Sequence, residues 1–174
     1  MKSYDIIWLG TGQAIGTIAP KITAAGKSLA IVEGGDFGGS CVNYGCTPTK
    51  TLVAGARAAH MIRRAGDFGI KVDDFYVDFK KAMARQKADR KKSSQGLEDW
   101  LSGMDGVDVY KAYGEFVDEH TIKAGNDTIR GETIIINTGA KPRQPEIPGL
   151  DTVEWLDNEK LLNLDEKPDH LVII

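Results

Sequence analysis

Residues 4–33 read YDIIWLGTGQAIGTIAPKITAAGKSLAIVE, and this stretch decides the fold. Tyr4 to Gly10 is a compact apolar run that stops at glycine, as a strand buried on both faces of a parallel sheet does. Behind it Ile15, Ile18, Ala19 and Ile22 recur at i, i+3, i+4 and i+7, one apolar stripe on a helix that ends near Gly26 and is kinked at Pro20. Ser28 to Glu33 is a second buried strand. Strand, helix, strand with a crossover between parallel neighbours opens a doubly wound α/β sheet.

Gly10-Thr11-Gly12, with Gln13 and Ala14 after it, forms the turn from the first strand into the helix. Glycine there lets backbone N–H groups approach a pyrophosphate held at the positive helix end, so a dinucleotide ligand is implied. The usual third glycine falls at position 15, where Ile15 stands, and Gly16 comes one later. That glycine serves helix-to-strand packing, so Ile15 should widen this contact more than it weakens the ligand site. Glu33 closes the second strand, where an acidic side chain accepts both ribose hydroxyls.

The chain has 174 residues, 41% of them hydrophobic, enough for one domain with a real core. Twenty-two basic and 25 acidic residues leave a net charge of −3, which draws the protein to neither nucleic acid nor an anionic membrane. The basic run Arg85 to Lys92 is isolated, without interleaved aromatics, and reads as a solvated helix face. MKSYDIIWLG lacks the cleavage site of a signal peptide, and no stretch approaches the ~20 apolar residues of a membrane span. The reading is a soluble, cytoplasmic protein that handles small molecules.

Cys46 to Ala65 reads as a helix stopped by Gly66, and Phe79 to Trp100 as another. From Val107 the texture changes to short alternating runs, read as antiparallel strands with a turn at Gly125-Asn126-Asp127. Lys141 to Leu150 holds Pro142, Pro145 and Pro148 and is an extended connector. His170 to Ile174 begins a new strand.

Only Cys41 and Cys46 are present, too few for a disulfide-stapled secreted domain. A metal site fails on ligand count, because His60, His120 and His170 are scattered. In one regular helix the two cysteines would stand ~7.5 Å apart along the axis, beyond the roughly 4.4–6.8 Å Cα separation of a disulfide. If they bond, Val42-Asn43-Tyr44-Gly45 must distort, and strained disulfides are the reducible, catalytic ones. A helix start also favours a thiolate. Two inert thiols are the alternative, which leaves the surrounding residues unexplained.

The run GGSCVNYGCTPTK from Gly38 to Lys50 resembles the redox signature of the class I pyridine nucleotide-disulfide oxidoreductases, a family that includes dihydrolipoamide dehydrogenase, glutathione reductase and mercuric reductase. Its form is most similar to the mercuric reductase-like bacterial members, with Ser40 replacing their usual threonine. Asn137-Thr138-Gly139-Ala140 is similar to the family's A-T-G-[SA] segment, and Pro142, Pro145, Ile147, Pro148 and Gly149 follow in the family's manner.

The resemblance implies a Rossmann-like FAD-binding domain over residues 1–150, with a parallel sheet, crossover helices and a small antiparallel β-meander. Residues 151–169 would be a connector and 170–174 the first strand of an NAD(P)-binding domain. It implies Cys46 as the thiolate against the flavin and Cys41 as the more exposed thiol that attacks substrate. Lys50 would lie near the flavin's redox-active nitrogen, with Gly39 and Ser40 lining the same cofactor. Tyr113-Gly114 would hold adenine through the backbone, and Thr138-Gly139 would turn close to the dinucleotide.

Electrons would pass from NAD(P)H through FAD to the Cys41–Cys46 pair and on to a small-molecule disulfide or oxidant. Family members are homodimers whose later sequence supplies a catalytic His-Glu pair, and His60, His120 and His170 do not occupy its position. The 174 residues alone are therefore expected not to turn over NAD(P)H. The alternative is a non-catalytic dinucleotide-binding module that keeps the two thiols, which flavin occupancy with thiol-dependent absorbance would separate from the enzyme.

Overall fold

The computed structural model describes all 174 residues, Met1–Ile174. They form two compact units, each discontinuous in sequence: Met1–Asn43 with Lys91–Lys141, and Tyr44–Arg90 with Pro142–Ile174.

The first unit is built on β1 (Lys2–Leu9), α1 (Ile15–Ala24) and β2 (Leu29–Val32), the three elements expected from residues 4–33. β1 and β2 pair in parallel, Ile6 opposite Leu29 through Leu9 opposite Val32. Their alternate side chains feed two cores, one on each face of the sheet. Ile7, Leu9, Ala30 and Val32 join one cluster, while Trp8, Leu29 and Ile31 join the other with Ile15, Ala19 and Ile22 of α1. Each fully buried Ile, Leu or Val side chain among them contributes roughly 1.5–3 kcal/mol. Gly26, at φ +73°, ends the α1 turn in the left-handed region, and Lys27 N–H reaches back to Ile22 O.

The edge where β2 begins is tied by Asp5. Its carboxylate accepts Lys27 Nζ at 2.7 Å and the backbone N–H and hydroxyl of Ser28 at 2.8 and 2.7 Å. The lysine first, then the serine donors, hold this carboxyl well below the usual carboxylate range.

The later strands are β3 (Val107–Tyr110), β4 (Gly114–Asp118), β5 (Thr121–Ala124) and β6 (Asp127–Ile136), and the sheet order is β3-β2-β1-β6-β5-β4. Here the expectation of antiparallel strands from Val107 onward is corrected. β3 runs parallel to β2, and β6 runs parallel to β1. Only β4–β5 and β5–β6 are antiparallel. Local alternation in VDVY cannot report direction; a strand reached through a helical crossover returns parallel to the one it left. The β5–β6 hairpin turns through Gly125-Asn126, with φ +63° at Gly125 alone, the pattern of a two-residue turn with glycine first.

In the second unit, α3 (Cys46–Arg63) precedes a 3-10 turn at Ala65–Phe68. The helix therefore ends before Gly66, which lies inside that turn, and Gly69 at φ +71° closes it. Pro48 sits in the first turn of α3, where its missing N–H costs nothing, and is the buried residue of that helix. α4 (Phe79–Ser102) passes from this unit into the first. Its early part buries Met83 and Gln86, and Gln86 donates to Leu162 O at 2.6 Å in α5 (Asn158–Leu162). Its late part contributes Leu97 and Leu101 to the α1-side core of the first unit.

Within the basic run, Lys87 pairs with Asp165 and Arg90 lies over the Tyr44 ring. The proline-rich segment carries no regular element before Leu150. Residues 170–174, read as a strand, carry none either, and Val172, Ile173 and Ile174 are exposed; a strand exists only where a neighbour completes its ladder. No helix is long and apolar enough to cross a membrane.

Candidate functional site

The turn after β1 brings three backbones together at three glycines. Gly10, at φ +88°, donates its N–H to Val32 O at 2.8 Å. A Cβ on Gly10 would stand 2.5 Å from Asn137 O and 3.1 Å from Thr138 Cα; one on Gly12 would stand 3.1 Å from the Asn137 amide. Gly39, at φ +59°, approaches from the other side, with its Cβ position 3.0 Å from Gly12 Cα. Asn137 is itself fixed, its N–H on Leu9 O at 2.8 Å. In the amide orientation that satisfies its neighbours, its side-chain oxygen accepts Gly12 N–H and Trp8 Nε1–H, each at 3.3 Å.

Glu33 is held by the same turn. Thr11 donates both its N–H and its hydroxyl to Glu33 Oε2, at 2.8 and 2.7 Å, and Gly35 N–H donates to Oε1 at 2.8 Å. A carboxylate offers about four acceptor positions, so roughly one remains on Oε1. That narrows the expectation that Glu33 accepts two ribose hydroxyls. Thr11 is 1% exposed, and its oxygen also accepts Gly38 N–H at 3.0 Å. Thr11→Val should therefore leave the Gly38 donor buried without its partner and destabilise the chain by ~1–3 kcal/mol. Thr11→Ser should recover most of the lost stability in a denaturant titration; equal stability of Val and wild type would remove Thr11 from this role.

Gln13 and Ala14 are exposed at the start of α1, where Ala14 O accepts Ile18 N–H and the first N–H groups of a helix lack intrahelical partners. Ile15 is fully buried, packed among Trp8, Ala19, Phe37 and Leu101, while a Cβ on Gly16 would meet nothing within 4 Å. Position 15 thus faces the core, as its packing role requires, and isoleucine is accommodated there. The ring of Tyr113, 81% exposed, lies on Gly34, where a Cβ would be 2.5 Å from it. A Cβ on the following Gly114 would be 3.1 Å from Leu9 Cδ2. Thr138 and Gly139 are exposed just beyond β6. Gly10, Gly12, Glu33, Gly39, Tyr113 and Thr138 are therefore brought to one end of the parallel strands, although 128 positions separate the first and last.

Cys41 lies in α2 (Gly39–Tyr44), and Cys46 is the first residue of α3. The two are joined by a disulfide. The helix is interrupted at Gly45, at φ −142° and ψ −105°, which removes the separation that one continuous helix would impose. Cys46 is exposed and Cys41 half-buried. This reverses the expected order, because Cys46 opens a helix whose first turn buries only Pro48 while Cys41 sits beside the buried Asn43. Lys50 is exposed and four residues beyond Cys46 in α3, which places the two on one helix face. Ser40 is exposed on α2.

Sequence reasoning passed over Thr11, Asn43 and the side chain of Asn137. All three stand inside recognisable motifs, but no periodicity distinguishes a buried hydrogen-bonding side chain from a solvated one. The histidines stay apart: His60 and His170 are exposed, and His120 shares a ring nitrogen with Gly131 O.

Comparison with known proteins agrees with this geometry. The family described as pyridine nucleotide-disulphide oxidoreductase matches residues 4–174. The chain is 32% identical over 173 residues to a mercuric reductase of Bacillus cereus, covering 98% of this chain and 27% of that one. It is 35% identical over 185 aligned positions to the probable pyridine nucleotide-disulfide oxidoreductase RclA of Escherichia coli (strain K12), covering 100% and 37%. The solved structure of the HOCl-induced flavoprotein disulfide reductase RclA from Escherichia coli superposes with a TM-score of 0.74 at 34% identity, over 94% of this chain and 34% of that one. The chain thus spans about a third of the length of these relatives.

Proposed function

The chain belongs to the pyridine nucleotide-disulphide oxidoreductase family, and on that premise we propose that these residues supply the FAD cradle and the working dithiol of an NAD(P)H-dependent reductase. Its substrate would be a small-molecule disulfide or oxidant. The observation that carries this reading is one chain holding both a glycine-lined cradle at the ends of β1 and β2 and a disulfide at the start of α3.

The residues fit the cofactor. A pyrophosphate needs close backbone approach, and Gly10, Gly12 and Gly39 are the positions where a side chain would collide with neighbouring backbone or with Asn137. Gln13 and Ala14 would donate to its oxygens from the start of α1. The remaining acceptor position of Glu33 would take a ribose hydroxyl, and the backbone at Tyr113-Gly114 would meet the adenine. When bound, FAD supplies the two-electron chemistry that connects a nicotinamide to thiols.

The protein's part is then positional and acid–base. Opening the disulfide takes up two electrons and leaves thiol or thiolate sulfur at Cys41 and Cys46. Cys46, at the positive end of an 18-residue helix and on the same face as Lys50, is the sulfur better able to hold negative charge. Cys46 would face the flavin and Cys41 the substrate. Residues 1–150 would form the first segment of the FAD domain, 151–169 a connector and 170–174 a strand completed by an NAD(P)-binding domain. The whole protein would be a cytoplasmic homodimer.

Equilibrium dialysis of the purified chain against FAD tests the reading. Saturable binding at one site per chain, with long-wavelength absorbance that appears on reduction of the thiols, is expected. No retention of FAD would sink it. The 174 residues are also expected not to oxidise NADPH steadily, and steady oxidation would overturn this division of labour.

A further inference from the structure

The segment that carries Cys41 is a short helix. α2 has six residues, well short of the ~12 at which an isolated helix becomes even marginal. It begins at Gly39, preceded by Gly38, both at positive φ, and ends before Gly45. The hydrogen bond from Val42 N–H to Gly38 O is 3.5 Å long. One side chain compensates. Asn43 is 2% exposed, and its Nδ2 lies 3.2, 3.0 and 3.1 Å from the carbonyl oxygens of Asp36, Phe37 and Gly39. Phe37 is in turn 1% exposed in the core beside Trp8 and Ile15.

We infer that Asn43 is a positioning residue for the redox pair: its amide fastens α2 to the Phe37 anchor and so holds Cys41 where its sulfur meets Cys46 in both the oxidised and the reduced chain. This goes beyond the cofactor reading and rests on the disulfide alone. A dithiol held in place has a high effective concentration of one thiol at the other, which favours the disulfide. Releasing α2 lowers that concentration, so the disulfide should become easier to reduce.

The test equilibrates the purified 174-residue chain with buffers of reduced and oxidised dithiothreitol and counts protein thiols by alkylation. In that exchange dithiothreitol gives two electrons and two protons to the cystine and closes to its own disulfide. Asn43→Ala should raise the equilibrium constant for reduction at least tenfold, a potential about 30 mV more oxidising. Asn43→Asp sets a carboxylate against three carbonyl oxygens and should shift it at least as far. A folded Asn43→Ala chain with an unchanged constant would reduce Asn43 to a structural residue and overturn the inference.

Wild-type protein gives an independent test should the variants not fold. Amide exchange across residues 37–43 is expected to agree within roughly threefold between the oxidised and reduced chains, because a tie that survives reduction preserves local protection. Protection lost on reduction would show that the disulfide, rather than Asn43, positions the segment.

Discussion

Gly10→Ala is expected to abolish measurable FAD binding and to destabilise the chain by roughly 2–6 kcal/mol, the sum of two costs. A non-glycine residue at the observed φ of +88° costs about 1–3 kcal/mol. The new methyl would also stand 2.5 Å from Asn137 O and 2.9 Å from Asn137 C, and forcing such a contact into packed structure costs typically 1–3 kcal/mol. Asn137 cannot easily retreat, because its N–H is bonded to Leu9 O and it continues β6 directly. Gly16→Ala is the matched control: nothing lies within 4 Å of its Cβ position, and a gain of ~0.4–1 kcal/mol is expected from a stiffer unfolded chain. Denaturant unfolding and FAD titration of both variants read the contrast. If Gly10→Ala bound FAD and unfolded within about 1 kcal/mol of wild type, the cradle would lie elsewhere.

Either Cys41→Ser or Cys46→Ser should remove the chain's entire reversible two-electron thiol capacity, since a lone thiol cannot close the intramolecular disulfide. The two variants should then differ in reactivity. With Cys41 replaced, the remaining Cys46 is exposed at the start of α3 with Lys50 one turn away on the same face, surroundings that favour the thiolate. With Cys46 replaced, the remaining Cys41 is half-buried in α2. Alkylation by iodoacetamide at neutral pH should be about tenfold faster for Cys46 than for Cys41. Equal rates, or a faster Cys41, would show that the helix start does not set the polarity of the pair, and the assignment of Cys46 to the flavin side would lose its physical basis.

Much of this is legible in the amino-acid sequence. Residues 4–33 contained β1, α1 and β2 because burial on both faces leaves an unbroken apolar run in a strand and an i, i+3, i+4, i+7 stripe on a helix. Gly10 and Gly12 were legible because backbone crowding admits few residue types there, and the cysteine spacing was legible because it excludes a regular helix. The Ile15 departure was also interpretable, since position 15 faces the core.

Other features depended on residues far apart in sequence. VDVY alternates whichever way its strand runs; only the crossover that returns it beside β2 makes β3 parallel. Thr11 is a hydroxyl residue in a turn until Glu33 and Gly38 close around it, and Asn43 is a spacer between cysteines until three carbonyls converge on its amide. Sequence alone determined the opening strand, helix and strand, the crowded glycines of the turn after β1 and the identity of the dithiol, because those are set by local periodicity and by which residue types a backbone conformation admits. Tertiary structure alone decided strand direction, the reversed exposure of the two cysteines and the side chains that tie the cradle and α2, because hydrogen bonds and burial depend on what the rest of the chain brings alongside.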